Sequence, residues 1–330
     1  MSSGSLERPG RPRTADSSAR KRDGERRTSR RTGALAAAGV IFAATLATAS
    51  PALGQDWREF RWARQPGSVE TLDVEVAYGA GHLSVRPATG NLLYDMHLRY
   101  DASRFEPSRR WEASSDRAKL RISLKAERSD TGAQLELDDM DLRLEDLKGL
   151  GDSHGRLDLA LNRSVPTALH IAVGAAESSL NLGGIPLTRL RLETGASETR
   201  LAFEQPNPAE MTEMLLTLGA ASFRSEKLGN ANFETFRFKG GVGDVVLDFT
   251  GDWRRSAHGS ISMGIGSIRL RFPRDLAVRI EKDSFFTSFD PGGLMKVDGG
   301  YESPDWDSAE TRLDLDLGAA FGTIKVELVP

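Results

Sequence analysis

The fold is decided by the run FRFKGGVGDVVLDF, from Phe236, followed by SISMGIGSIRLRF, from Ser260. In both, apolar residues alternate with polar ones, a Gly-rich break follows, and a second alternating run begins. The same unit occurs upstream as LDVEVAYGAGHLSV from Leu72, LHIAVGAAESSLNL from Leu169, LRLETGASETRLAF from Leu190 and LLTLGAASFRSEKL from Leu215, and downstream as LDLDLGAAFGTIKVEL from Leu313. A period of two means strands with one buried face. The glycines Gly174, Gly195, Gly219, Gly241 and Gly264 are spaced by 21, 24, 22 and 23 residues, and Gly318 marks the last copy. A repeat of 20–25 residues is the signature of a solenoid, in which no unit can bury its apolar face alone. Glycine at one place per unit suits a corner where the backbone turns or packs on the next rung. Each unit is expected to make two or three short strands. An antiparallel sandwich with Gly turns is the competing architecture, and the regular Gly spacing favours the solenoid.

The chain has 330 residues, no cysteine and a formal net charge of -3. The two parts differ: residues 1–54 hold ten Lys/Arg and four Asp/Glu, leaving 34 basic and 43 acidic residues beyond them. An acidic remainder lacks the basic face that nucleic acid requires. It also argues against electrostatic docking on anionic lipid. Lack of cysteine excludes disulfides, thiolate catalysis and Cys-based zinc sites.

Residues 1–54 read as a signal peptide with a long Arg-rich leading region, an apolar run from Gly33 to Ala49 and a small-residue site ending at Gly54. An N-terminal membrane anchor is the alternative, although this Ala-dominated run is short for a bilayer span. No later stretch is long and apolar enough to cross. Residues 55–165 form a β-rich section and 166–330 the solenoid proper. Pro208 followed by AEMTEMLL suggests a helical turn. Residues 282–312 break the repeat and are expected to leave the solenoid as an excursion before the last rung.

The runs GGVGDVVLDFTGDW, SISMGIGSIRLRFPRDLAVRI and DGGYESPDWDSAETRLDLDLGAAFGTIKVEL resemble the LiaF-like C-terminal domain, within the toastrack-type, DUF4097-like group of presumed bacterial adhesins. The upstream runs LDVEVAYGAGHLSV, SVPTALHIAVGAAESSLNLGGIPLTRLRLETGASETRLAF and LGNANFETFRF resemble the toastrack N-terminal, DUF2154-like domain. The resemblance covers nearly all of residues 66–330 and rests on Gly-and-alternation patterns. It implies an all-β, single-stranded right-handed β-solenoid, no catalytic residues, and roles in envelope stress sensing or surface display. Stress-signalling members usually carry several transmembrane helices before this domain, where this chain has a signal sequence.

Chemistry-bearing motifs are sparse. His82, His97, His154, His170 and His258 form no helix-spaced ligand pair. The acids Glu136, Asp138, Asp139, Asp141, Glu145 and Asp146 alternate with apolar residues, as a solvated strand face does. GGVGDV lies between strands, whereas a phosphate loop needs a helix behind it. Stacked rungs could approach Glu198 to Asp244, the paired carboxylates a glycosidase needs. These readings give no cofactor, no metal and no enzyme; a carbohydrate-active enzyme is the remaining catalytic alternative. Phe285, Phe286, Phe289, Tyr301 and Trp306 either make a partner contact or fold back as a cap on the solenoid end. Trp57, Phe60 and Trp62 pose the same choice at the other end. The expected partner is an envelope protein or surface polymer, met in the periplasm or at the cell surface, with self-association as the second reading.

Overall fold

The computed structural model describes residues 55–126 and 155–330. Residues 1–54, which the sequence reads as a signal peptide, the acidic run 136–146 and His154 lie outside the described residues. Fifteen strands are described: β1 (Trp57–Arg64), β2 (Thr71–Pro87), β3 (Tyr94–Asp101), β4 (Phe105–Ser114), β5 (Arg117–Ala126), β6 (Arg156–Leu161), β7 (Thr167–Asn181), β8 (Leu187–Ala202), β9 (Met211–Glu226), β10 (Phe233–Asp248), β11 (Ala257–Pro273), β12 (Ala277–Asp290), β13 (Met295–Val297), β14 (Gly300–Glu302) and β15 (Arg312–Val329). The protein is an all-β parallel solenoid, with rungs in the order β2-β7-β8-β9-β10-β11-β15-β12.

Three expectations are corrected. Each unit forms one continuous strand, 14–18 residues long in β7 to β12 and β15, in place of two or three short ones. The corner glycines let the chain turn while its ladder continues on both sides. MTEMLL is the start of strand β9, not a helical turn. Its Met214, Leu216 and Leu218 are buried at period two, where a helix would scatter them around its axis. Residues 282–290 do not leave the stack: they belong to β12, the terminal rung, and β15 inserts between β11 and β12.

Inward residues stack in register. One column runs Val76, Ile171, Leu192, Leu216, Phe238, Ile261 and Leu317, all buried. Each such side chain contributes about 1.5–3 kcal/mol through burial. The column ends at Lys282, which pairs with Leu317 on the terminal rung and lies 5.8 Å over the Phe289 ring. A charge at that place discourages further rungs from adding. The middle of the core is aromatic: Phe249 stacks on Phe272 at 5.2 Å and meets Phe236 edge-on at 5.3 Å.

Buried asparagines tie successive connections. Asn207 Nδ2 donates to the carbonyls of Leu187 (2.8 Å) and Ala231 (2.9 Å), while its Oδ1 accepts from the Leu187 and Ala209 amides, both at 3.0 Å. One rung later Asn230 donates to Phe203 O at 2.8 Å and accepts from Asp252 N at 2.7 Å. These bonds satisfy backbone groups that the turns would otherwise leave buried and unpaired.

At the N-terminal end both arms of β2 are covered, the first by β5 and the second by β6, each in parallel. β4 then pairs antiparallel with β5, and β3 and β1 extend β6 antiparallel. Phe60 stacks on Trp62 and Tyr100 within this cover and packs with Trp62 on the end of the core, whereas Trp57 lies against the Arg99 guanidinium, 4.5 Å from its ring centroid.

Candidate interaction surface

The corner of the solenoid carries the least ordinary surface. At equivalent corner positions, Ala196 pairs with Ala220, Ala220 with Val242, Val242 with Ile265, Ile265 with Phe321, and Phe321 with Phe286. From β10 onward this ladder is a ridge of large apolar residues in water: Val242, Ile265, Phe321 and Phe286 are 53%, 52%, 52% and 73% exposed. The two phenyl rings stack face to face, centroids 5.5 Å apart and 5° from parallel. Scattered exposed apolar residues are ordinary; here four stand in line on consecutive rungs.

Two glycine columns position the ridge. On its near side, a Cβ on Gly241 or Gly264 would lie 2.6 Å from the glycine carbonyl oxygen of the preceding rung. Gly174 and Gly219 are packed likewise, at 2.5 and 2.8 Å from Gly79 O and Gly195 O. Gly318 stands outside this column: it pairs with Ser262, and Ala320 occupies the place opposite Gly264. The second column escaped the sequence reading. Gly243, Gly266 and Gly322 pair with one another and have φ of +148°, +143° and +139°, with a Cβ directed into the carbonyl oxygen of the rung before. The pattern Gly-Val-Gly, Gly-Ile-Gly, Ala-Phe-Gly contains the signal: one bulky residue framed by small ones on each corner.

The aromatic candidates of 285–306 divide. Phe286 is the most exposed member of the ridge. The Phe285 side chain lies outside the described residues. Phe289 and Tyr301 are half-buried against each other at 4.8 Å. Trp306 is 7% exposed, with the Arg279 and Arg312 guanidinium groups 4.3 and 5.7 Å from its ring centroid. The β13–β14 hairpin pairs with residues 279–281 and, with Trp306, covers the first arm of β12. The segment therefore acts partly as cap and partly as exposed ridge.

Beside the ridge lies an open depression of about 420 Å³ floored by Ser262, Gly264 and Gly318, with Lys239 on β10 and Asp283 on β12 at its two ends. Lys239, Ser262, Gly318 and Asp283 share one register row. Among the described residues, neither Lys239 nor Asp283 forms an ion pair.

Titratable groups elsewhere show structural partners. Glu193 is buried at 6% exposure, with His170 Nε2 3.4 Å from its Oε1 and the Arg191 guanidinium against the same oxygen. His170 holds the Glu193 carboxyl below the ordinary carboxylate range against the opposing effect of burial, and Arg191 adds to the pull. Glu198 and Asp244 each pair with Ser222 from opposite sides, so they stand two rungs, roughly 10 Å, apart on an exposed sheet face. His82 meets Glu177 at 3.1 Å, His97 lies 3.6 Å from Glu59, and His258 lies 3.4 Å from Thr235. No group of three or more metal-ligating side chains is found among the described residues. Among them, too, no helix is long and apolar enough to cross a membrane.

A family model for the N-terminal domain of toast_rack, DUF2154, matches residues 55–222. The chain belongs to this family. The toast_rack match spans the N-terminal cover and the rungs through the corner of β9, and stops short of the ridge. No curated protein matches the chain. Among solved structures, a presumed cell-adhesion protein from Clostridium sporogenes is similar at 15% identity and TM-score 0.43, covering 83% of this chain and 100% of its own. A presumed adhesin from Bacteroides fragilis aligns at 11% identity and TM-score 0.32, covering 84% of this chain and 98% of its own. Another from Parabacteroides merdae aligns at 7% identity and TM-score 0.30, covering 82% and 95%.

Proposed function

We propose that this toast_rack chain is a non-catalytic, exported envelope protein that works as a binding module, either in adhesion at the cell surface or in reporting the state of the envelope. The apolar ridge Val242–Ile265–Phe321–Phe286 carries this reading. Its residues contribute nothing to the core, yet two glycine columns hold them in water in one line. Such a line is stabilised by covering it, at roughly 25 cal/mol per Å² of apolar surface removed from water. Export accounts for the apolar run at Gly33–Ala49 and its small-residue end.

The test is binding of the purified protein to intact cells and isolated envelopes of the producing bacterium. Saturable binding that weakens at least tenfold in a V242D/I265D variant with an unchanged thermal melt is the expected result. No saturable binding, or equal binding by the variant, overturns the proposal.

A further inference from the structure

We propose that the occupant of the ridge is a second copy of this chain, packed ridge to ridge with the two solenoid axes antiparallel. The inference rests on the binding reading above and names its partner. The ridge spans four consecutive rungs, β10, β11, β15 and β12. A two-fold axis across the ridge between β11 and β15 reverses their order, so β10 faces the other copy's β12 and β11 faces its β15. The smaller residues then meet the larger ones: Val242 packs against the second copy's Phe286, and Ile265 against its Phe321. The parallel arrangement would instead set each residue on itself, with Phe286 on Phe286 and only Val242 on Val242 at the other end.

Charge selects the same arrangement. The row beside the ridge reads Lys239, Ser262, Gly318, Asp283 from β10 to β12. This two-fold keeps that row facing its own copy in reverse, so Lys239 meets Asp283 of the second chain, twice. Both side chains are exposed and without an ion pair among the described residues. Between them the Ser262 and Gly318 positions face each other with small side chains, which permits close approach. A parallel arrangement, with its two-fold along the solenoid axis, carries the row to the opposite side of the ridge and leaves Lys239 and Asp283 with no partner across the interface. An isologous interface must be self-complementary in this way. Four corner residues and one flanking row make less than the roughly 800 Å² per partner of a standard stable interface. The association is therefore weak and concentration-dependent, of the kind that display at high local density drives.

The test uses the full protein as the cell produces it, followed by sedimentation at increasing concentration. The expected result is a reversible monomer–dimer equilibrium. K239D alone and D283K alone each weaken association at least tenfold, and the double swap K239D/D283K restores it. A monomer at every concentration, or a dimer insensitive to both single swaps, overturns the inference. Because the chain has no cysteine, disulfide trapping gives a second reading. V242C and F286C proteins form a cross-linked dimer when mixed, and neither does so alone, since like positions lie three rungs apart across the axis. Equal trapping in the separate samples overturns the antiparallel register. Cell binding separates this inference from the broader one: ridge-dependent binding to cells lacking the gene would sink the second-copy assignment and leave the binding module standing.

Discussion

The first and last halves of this stack have the same core and different corners. In β8 and β9 the corner residues are Ala196 and Ala220; in β10, β11, β15 and β12 they are Val242, Ile265, Phe321 and Phe286. The residue after the corner changes with them. Ser197 and Ala221 occupy that place in β8 and β9, and Gly243, Gly266 and Gly322, all at positive φ, occupy it in β10, β11 and β15. The inward columns continue through this change without interruption. A corner thus stands outside the packing that fixes the fold, and its residues can vary for another purpose.

The largest expected effect comes from breaking the corner geometry. Gly266→Ala places a Cβ against the Gly243 carbonyl oxygen at a φ of +143°, a region L-residues rarely adopt. The expected cost is about 3 kcal/mol, combining strain and steric conflict. The reciprocal change on the other half, Ala221→Gly, should cost only about 0.5–1 kcal/mol through added chain entropy. Urea denaturation of both variants measures the contrast, and equal losses would mean that the two corners are one geometry.

The halves also differ in how they hold acids. Glu193 in β8 is buried between His170 and Arg191, whereas Asp314, Asp316 and Glu281 on the same face of the last rungs are exposed. Glu193 has a lowered carboxyl pKa in the folded protein, so the unfolded chain takes up its proton first as pH falls. The stability it contributes is fully present above the ordinary carboxylate pKa and is lost as pH falls through the lower, folded value. Glu193→Gln should lower stability at pH 7 and flatten the decline below about pH 4.5. Substituting Asp316, which is exposed and forms no ion pair among the described residues, should change stability by no more than about 0.5 kcal/mol. Thermal melts from pH 3 to pH 7 distinguish the two, and identical acid limbs in wild type and Glu193→Gln would show that other carboxylates govern it.

How much of this was legible depended on range. Alternation at Leu190, Leu192 and Leu201 is a local pattern, so strands and a solenoid could be read from residues alone. The glycines at 174, 219, 241 and 264 were visible for the same reason. Misjudging Gly318 by two positions came from aligning the last copy on its first glycine, when inter-rung pairing aligns it on Gly322. That β15 enters between β11 and β12 is a property of long-range pairing that no local period encodes. The ridge was half legible: Phe286 was named as a partner contact or an end cap, but its neighbours Val242, Ile265 and Phe321 are separated from it by 21 to 44 positions in sequence and become adjacent only through register. Trp306 looked like Phe286 on composition, and only the guanidinium groups of Arg279 and Arg312 beside its ring set it apart.

The smallest effect on stability, and the sharpest test of the comparison, comes from extending the ridge backward. Ala220 in β9 is exposed and pairs with Val242, so Ala220→Phe adds a fifth bulky residue in line without entering the core. A surface change of this kind should alter stability by no more than about 0.5 kcal/mol. Its effect on binding to cells should be favourable, because the added ring lengthens the apolar line that a partner covers. If Ala220→Phe instead costs more than about 1 kcal/mol, the β9 corner is packed and not free, and alanine there is required by the fold. If stability holds and binding is unchanged, the partner ends at β10, and the step from Ala220 to Val242 is the boundary of the site.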